Sequence, residues 1–209
     1  MLTCIDSHVR FRSLINLDNR TAKELYSAMD DIFRVYNHAN FVVKFINCDR
    51  EFKPHMDEVK DKLSITMNYP PAKSKVPQAE RNNRTIGERI RSAYHNLPYK
   101  AIPKPMIRYL AMVCADQLNW FPVKGGISSY YSPRVILTHQ ALDFNKHCQV
   151  PFGAYVQADQ IPDPKNTPAA RTIDAIYLRP LPNLQGGHEV MNIATGRICT
   201  CVKATLPNL

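Results

Sequence analysis

Phe41-Val42-Val43-Lys44-Phe45-Ile46, followed by Cys48-Asp49-Arg50-Glu51-Phe52, is the stretch on which the fold class turns. A nearly continuous apolar run too short for a helix predicts a strand covered on both faces in the middle of a mixed sheet. Directly before it, Ala22, Leu25, Met29, Ile32, Phe33 and Tyr36 recur at three- and four-residue steps. That spacing predicts a helix over 21–38 with one buried face, capped by Asn19. A helix feeding an interior strand is the pattern of α/β proteins. Open α/β sheets place their chemistry beyond the carboxyl ends of strands, so residues 48–52 stand where a site is expected.

Upstream, residues 2–17 alternate as two short strands joined at His8-Val9-Arg10, an edge hairpin. Downstream come a short polar helix over 55–62 and a strand over 64–69. The loop Pro70-Pro71-Ala72-Lys73-Ser74-Lys75-Val76-Pro77 then ends on a proline suited to a first helical position. The helix it opens, 78–96, buries Ala79, Ile86, Ile90, Ala93 and Leu97, while Arg81, Arg84, Arg89 and Arg91 lie mostly elsewhere on the cylinder. A second helix, 105–120, repeats apolar residues at Ile107, Leu110, Cys114 and Leu118, and Ser132 caps a third over 133–138. After Cys148 the texture changes to short strands over 153–158, 172–178, 188–192 and 197–203. Turns at Gln185-Gly186-Gly187 and Thr195-Gly196 and a longer loop over 163–168 separate them, which predicts a small β barrel.

With 44% hydrophobic residues in 209, a folded core is affordable. Lys and Arg number 27 against 18 Asp and Glu, a net charge of +9, which favours a polyanionic partner. The six cysteines form no C-x-x-C pair and no secreted-scaffold spacing, so reduced intracellular thiols are expected. Cys199 and Cys201 point to one face of a strand and with His188 imitate a metal site, but two buried thiols are the commoner arrangement. Neither a signal peptide nor a membrane span is read in the sequence, and no glycine-rich phosphate loop or Ser/Cys nucleophile motif supports a metabolic enzyme.

Asp49 follows the apolar strand and Glu80 opens the basic helix, 80 − 49 = 31 positions later. Two converging carboxylates suit Mg²⁺ or Mn²⁺, which keep waters and bridge to phosphate oxygens. A pair of such ions about 3.5–4 Å apart serves in-line phosphoryl displacement. Each acid also has a plain structural use: Asp49 can bond its own turn, and Glu80 can complement a helix dipole. Lys73, Lys75, Arg81, Arg84 and Arg91 form a basic surface fit for phosphates, unless Glu88 pairs with Arg84 or Arg91.

Asp49-Arg50-Glu51-Phe52, the proline-rich loop and Ala79-Glu80-Arg81-Asn82-Asn83-Arg84-Thr85-Ile86 together resemble integrases of copia-type long-terminal-repeat retrotransposons. Leu118-Asn119-Trp120-Phe121-Pro122, Ser132-Pro133 and Phe152-Gly153-Ala154-Tyr155-Val156 resemble later blocks of that family, so the similarity spans nearly the whole chain. The resemblance implies a ribonuclease-H-like integrase core over 1–146, a small β-barrel-like domain over 147–209, and Asp49 and Glu80 as catalytic metal ligands. It also implies DNA as partner, multimeric assembly and the nucleus as location. The sequence departs from the family in a shorter Asp49-Arg50-Glu51 element and in Lys75-Val76-Pro77-Gln78 where Gln-Asn-Gly is usual. The family's first catalytic Asp lies on a strand before the one that Thr3-Cys4-Ile5-Asp6 resembles, and neither that strand nor the zinc-binding His/Cys module has a counterpart here. Two functions therefore stand side by side: metal-dependent insertion of element DNA, and a non-catalytic nucleic-acid-binding remnant or inert polyprotein fragment.

Overall fold

The computed structural model describes residues 1–49, 52–71, 76–159, 170–181 and 186–207. It is a mixed α/β chain with two compact units. The first comprises residues 1–95 and 111–141, the second residues 96–110 and 142–209. Residues 96–110 and 142–146, expected with the first domain, thus cluster with the second.

In the first unit, β1 (Leu2–Ile5) and β2 (Arg12–Ile15) form an antiparallel ribbon. Asp6 builds its turn, one carboxylate oxygen accepting the N–H groups of His8, Val9 and Arg10. Helix α1 (Ala22–His38) follows, and its N-cap is Thr21 rather than Asn19. Thr21 accepts from the Glu24 N–H, while Glu24 reaches back to the Asn19 backbone and amide. This arrangement resembles a capping box. The helix stops in a Schellman motif: Asn40 takes a left-handed φ of 62°, the Asn40 N–H bonds to Asn37, and the Phe41 N–H bonds to Tyr36. Leu25, Ala28, Met29, Ile32, Phe33 and Tyr36 face one core with Leu2, Val59, Ile65 and Leu137.

Strand β3 (Phe45–Asn47) is shorter than the sequence pattern predicts, and it is not covered on both faces. Phe45 is 53% exposed and Val42 is exposed too, while Val43 and Ile46 pack inward. An apolar run does not by itself reveal how many of its faces are covered, and here Phe41, Val43 and Ile46 are packed while Val42, Lys44 and Phe45 are exposed. Helix α2 (Lys53–Leu63) joins β3 to the parallel strand β4 (Thr66–Asn68). The expected mixed sheet is present as two ribbons, β1-β2 and β3-β4, which share no ladder bond among the described residues. Both contribute apolar residues to the same core, so face packing unites what edge pairing does not. Helix α3 (Pro77–His95) opens on Pro77, as predicted, and packs against β1. Helix α5 (Pro133–Thr138) also matches its predicted bounds, because both of its determinants are local: Ser132 accepts the Val135 N–H, and Pro133 is fixed in helical φ.

Helix α4 (Lys104–Gln117) gives its first turns to the second unit and its last turns to the first. Its buried residues are Met106, Leu110, Ala111, Cys114 and Ala115, whereas Ile107 is exposed. Of the expected stripe, Leu110 and Cys114 are buried and Leu118 half-buried, and only Ile107 lies off it.

The second unit continues with α6 (Phe144–His147), β5 (Tyr155–Asp159), β6 (Thr172–Pro180), β7 (His188–Asn192), β8 (Ile198–Cys201) and β9 (Ala204–Thr205). These strands make one antiparallel sheet in the order β8-β7-β6-β5-β9. The edge strands β8 and β9 are separated in sequence by Val202 and Lys203 alone. Three Cα steps reach at most about 11 Å. Four strand spacings across a flat sheet would require about 19 Å. The sheet is therefore strongly coiled, bringing its edges toward each other. Of the predicted turns, Thr195-Gly196 joins β7 to β8, with Gly196 at φ 67°; Gln185 and residues 163–168 lie outside the described residues.

Val156, Ala158, Ala175, Tyr177, Val190 and Cys201 form one core of this unit, and Met106, Ile176, Leu178 and Met191 another. Beside the second, Glu189 accepts from both Arg179 and the Tyr109 hydroxyl, and the Arg179 guanidinium lies 5.4 Å from the Tyr109 ring centroid. Cys199 and Cys201 do face one side of β8, and burial foremost pushes the Cys201 thiol up to about 11. His188 Nδ1 lies 3.2 Å from the Tyr177 hydroxyl, and burial lowers its pKa below the ordinary 6.5. The unfolded chain then takes up the proton first, so stability is lost as pH falls through about 6.5 toward the folded pKa. Urea unfolding of the second unit between pH 7.5 and pH 5 should show this loss, and His188→Gln should flatten it. Equal pH slopes in the two proteins would refute the assignment.

Candidate nucleic-acid interface

Asp49 stands just past β3, at the carboxyl end of the parallel pair. The Cys48 N–H bonds to Asn68 O at 3.2 Å, extending the ladder to its doorstep, and the Asn68 amide bonds to Asn47 at 2.9 Å. The turn into α2 is held by the Asp49 carbonyl, which accepts the Phe52 N–H. Its carboxylate is half-buried and makes no hydrogen bond or ion pair with the described residues. The turn therefore does not need the side chain. Glu80 is exposed in the first turn of α3, where a negative charge is favoured by the helix dipole. Both acids belong to the first unit. Among the described residues no group of three or more His, Cys, Asp and Glu side chains is arranged to hold a metal ion.

Arg81, Arg84 and Arg91 are exposed on α3 and carry no ion pair with the described residues, so Glu88 does not neutralise Arg84 or Arg91. Arg84 and Arg91, at i and i+7, project from one side of the helix. Lys73, Lys75 and Glu51 lie outside the described residues.

The buried side of α3 follows the predicted stripe but includes a polar residue that the stripe did not name. Its most buried residues are Ile86 and an asparagine, Asn82, which is 2% exposed. Ala79, Ile90, Ala93 and Leu97 are only half-buried. Asn82 is tolerated there because its carbonyl accepts from Arg12 Nε at 3.1 Å, while neighbouring Asn83 accepts from the Thr3 hydroxyl at 2.6 Å. Arg89, at i+7 from Asn82, comes round to the same side, and burial followed by the charges of Arg10 and Arg89 lowers the Arg12 pKa. Arg10, Arg12 and Arg89 thus form a cluster of like charge that the sequence reading did not assemble. A polar residue at the centre of an apolar stripe was its one visible sign.

A second feature adjoins the cluster. Asn119 is buried and clamps β2 on both sides, accepting the Arg12 N–H and donating to the Arg12 carbonyl, each at 2.8 Å. Beyond Asn119 the chain runs through Phe121, Lys124 and Gly125 to Tyr130 and Tyr131, and Arg10 Nε donates to the Gly125 carbonyl at 3.4 Å.

No family model matches this chain, and no curated protein matches it. It is similar to a number of solved structures. Among them is the catalytic core domain of the BIV integrase, with a TM-score of 0.45 and 15% sequence identity over 66% of this chain and 84% of that one.

Proposed function

We propose that this chain is a copia-type retrotransposon integrase-like protein that binds DNA and, in its complete form, inserts element DNA by metal-dependent strand transfer. The observation that carries this reading is the α3 surface: Glu80 opens it, Arg81, Arg84 and Arg91 stand exposed on it without an ion pair to the described residues, and its inner side meets the Arg10, Arg12 and Arg89 cluster. Proteins that neutralise phosphates without reading bases use such unpaired cations. The ribonuclease-H-like reading of the first unit is supported by its order of hairpin, helix, strand, helix and parallel strand. The barrel reading of the second is supported by the two-residue link between its edge strands.

The donor chemistry of Asp49 and Glu80 suits Mg²⁺ or Mn²⁺, since both offer hard carboxylate oxygens and that of Asp49 is unengaged by the described residues. When bound, such an ion polarises a phosphoryl oxygen. Nuclear location and multimeric assembly accompany the same reading. No helix among the described residues is long and apolar enough to cross a membrane.

Duplex DNA affinity measured across a salt series tests the reading. The wild-type chain is expected to bind with log K falling linearly in log salt, and Arg84→Ser with Arg91→Ser should reduce that slope by about two, one per lost phosphate contact, equally on unrelated sequences. Salt-insensitive binding, or a slope unchanged by the double variant, would overturn it.

A further inference from the structure

The chain between α4 and α5 exposes large aromatic rings without losing its anchorage. Tyr130 is 88%, Tyr131 63% and Phe121 60% exposed, beside exposed Ile127. Exposed aromatic groups of this density on a surface mark interaction sites. The segment is held at both ends and in the middle. Asn119 clamps its start to Arg12, Arg10 donates to Gly125, and the Ser128 hydroxyl accepts the N–H groups of Tyr130 and Tyr131 at 3.1 and 2.9 Å. Ser132 then caps α5. Gly125, at φ 78°, allows the reversal that presents its carbonyl to Arg10.

The charge around these rings selects the partner. No acidic residue occurs between Asp116 and Asp143, whereas Lys124 lies within the segment and the Arg10 side chain is bonded to it. The Asp6 carboxylate in the neighbouring hairpin is taken up by its own turn. Rings flanked by cations, in a segment without acidic residues of its own, match the two faces of an unpaired nucleotide, a base that stacks and a phosphate that is neutralised. In a duplex the base faces are covered by their neighbours.

We infer that Phe121, Tyr130 and Tyr131, with Arg10 and Lys124 beside them, form a stacking platform for unpaired bases of single-stranded nucleic acid, distinct from the exposed arginine face of α3. This inference rests on the nucleic-acid reading above. The single tryptophan, Trp120, adjoins Phe121 and reports on the platform by its fluorescence.

The test measures the affinity of the full chain for a labelled oligothymidylate, an abasic oligonucleotide of the same length and a duplex. Oligothymidylate should bind at least about tenfold more tightly than the abasic strand and change Trp120 emission, as stacking adds roughly that much per base. Tyr130→Ala with Tyr131→Ala should erase the difference while leaving abasic and duplex affinities unchanged, and Tyr130→Phe with Tyr131→Phe should retain it. These side chains are solvent-exposed, so the variants should fold normally. Equal affinity for oligothymidylate and abasic strand, with duplex binding intact, overturns the platform and leaves the DNA-binding reading standing. Failure to bind any of the three overturns both. A tyrosine pair whose loss alters only self-association in sedimentation velocity identifies a protein-docking surface and also overturns the platform.

Discussion

Leu25→Ala is expected to destabilise the first unit by about 2–5 kcal/mol, one of the larger single-residue effects the chain should show. Leu25 is fully buried on the inward face of α1, in the core that takes residues from both ribbons and from α2 and α5. Truncation loses the transfer free energy of the removed carbons and leaves a cavity. Leu25→Met keeps the volume and should cost less than about 1.5 kcal/mol. Trp120 lies in the same unit, so urea unfolding followed by its fluorescence reports this unit specifically. The ribbons share no ladder bond among the described residues, so the prediction also tests whether their common core holds them together. If α1 merely covered a self-sufficient sheet, Leu25→Ala would shift the Trp120 transition by well under 1 kcal/mol.

How far the sequence led depended on how local each determinant was. Helix α5 could be bounded to the residue because its cap and its proline are adjacent in sequence to the turns they specify. The turns that flank residues 188–192 predict a strand there, and β7 spans them. Covering is another matter: Phe41 to Ile46 look alike in hydrophobicity, but which are buried depends on elements far away in sequence. Asn82 and Asn119 were invisible as structural residues for the same reason, since each serves Arg12 across a long separation. At the candidate site, chemistry could be named from residue types and their order. The exposure of Arg84 and Arg91 without an ion pair to the described residues, the half-buried carboxylate of Asp49 and the meeting of Arg10, Arg12 and Arg89 are properties of the folded chain alone.

Strand transfer of a labelled duplex end in Mg²⁺ or Mn²⁺ should fall about a thousandfold or below detection in Asp49→Asn and in Glu80→Gln, because metal-assisted charge stabilisation supplies several kcal/mol of such a barrier. Each substitution keeps the shape of the side chain and removes its charge. The turn after β3 uses the Asp49 carbonyl, and Glu80 is solvent-exposed. Duplex affinity should therefore hold or rise slightly, since one negative charge less faces the phosphates. That split between chemistry and binding separates a metal ligand from a residue whose loss damages the protein. Retained strand transfer in both variants would remove Asp49 and Glu80 from the chemistry. A wild-type chain that binds duplex with the expected salt slope, yet transfers no strand with either ion, would make DNA binding its activity and favour the non-catalytic alternative. Under that outcome the Arg84 and Arg91 surface would still carry the function, because phosphate neutralisation needs no metal and no acid.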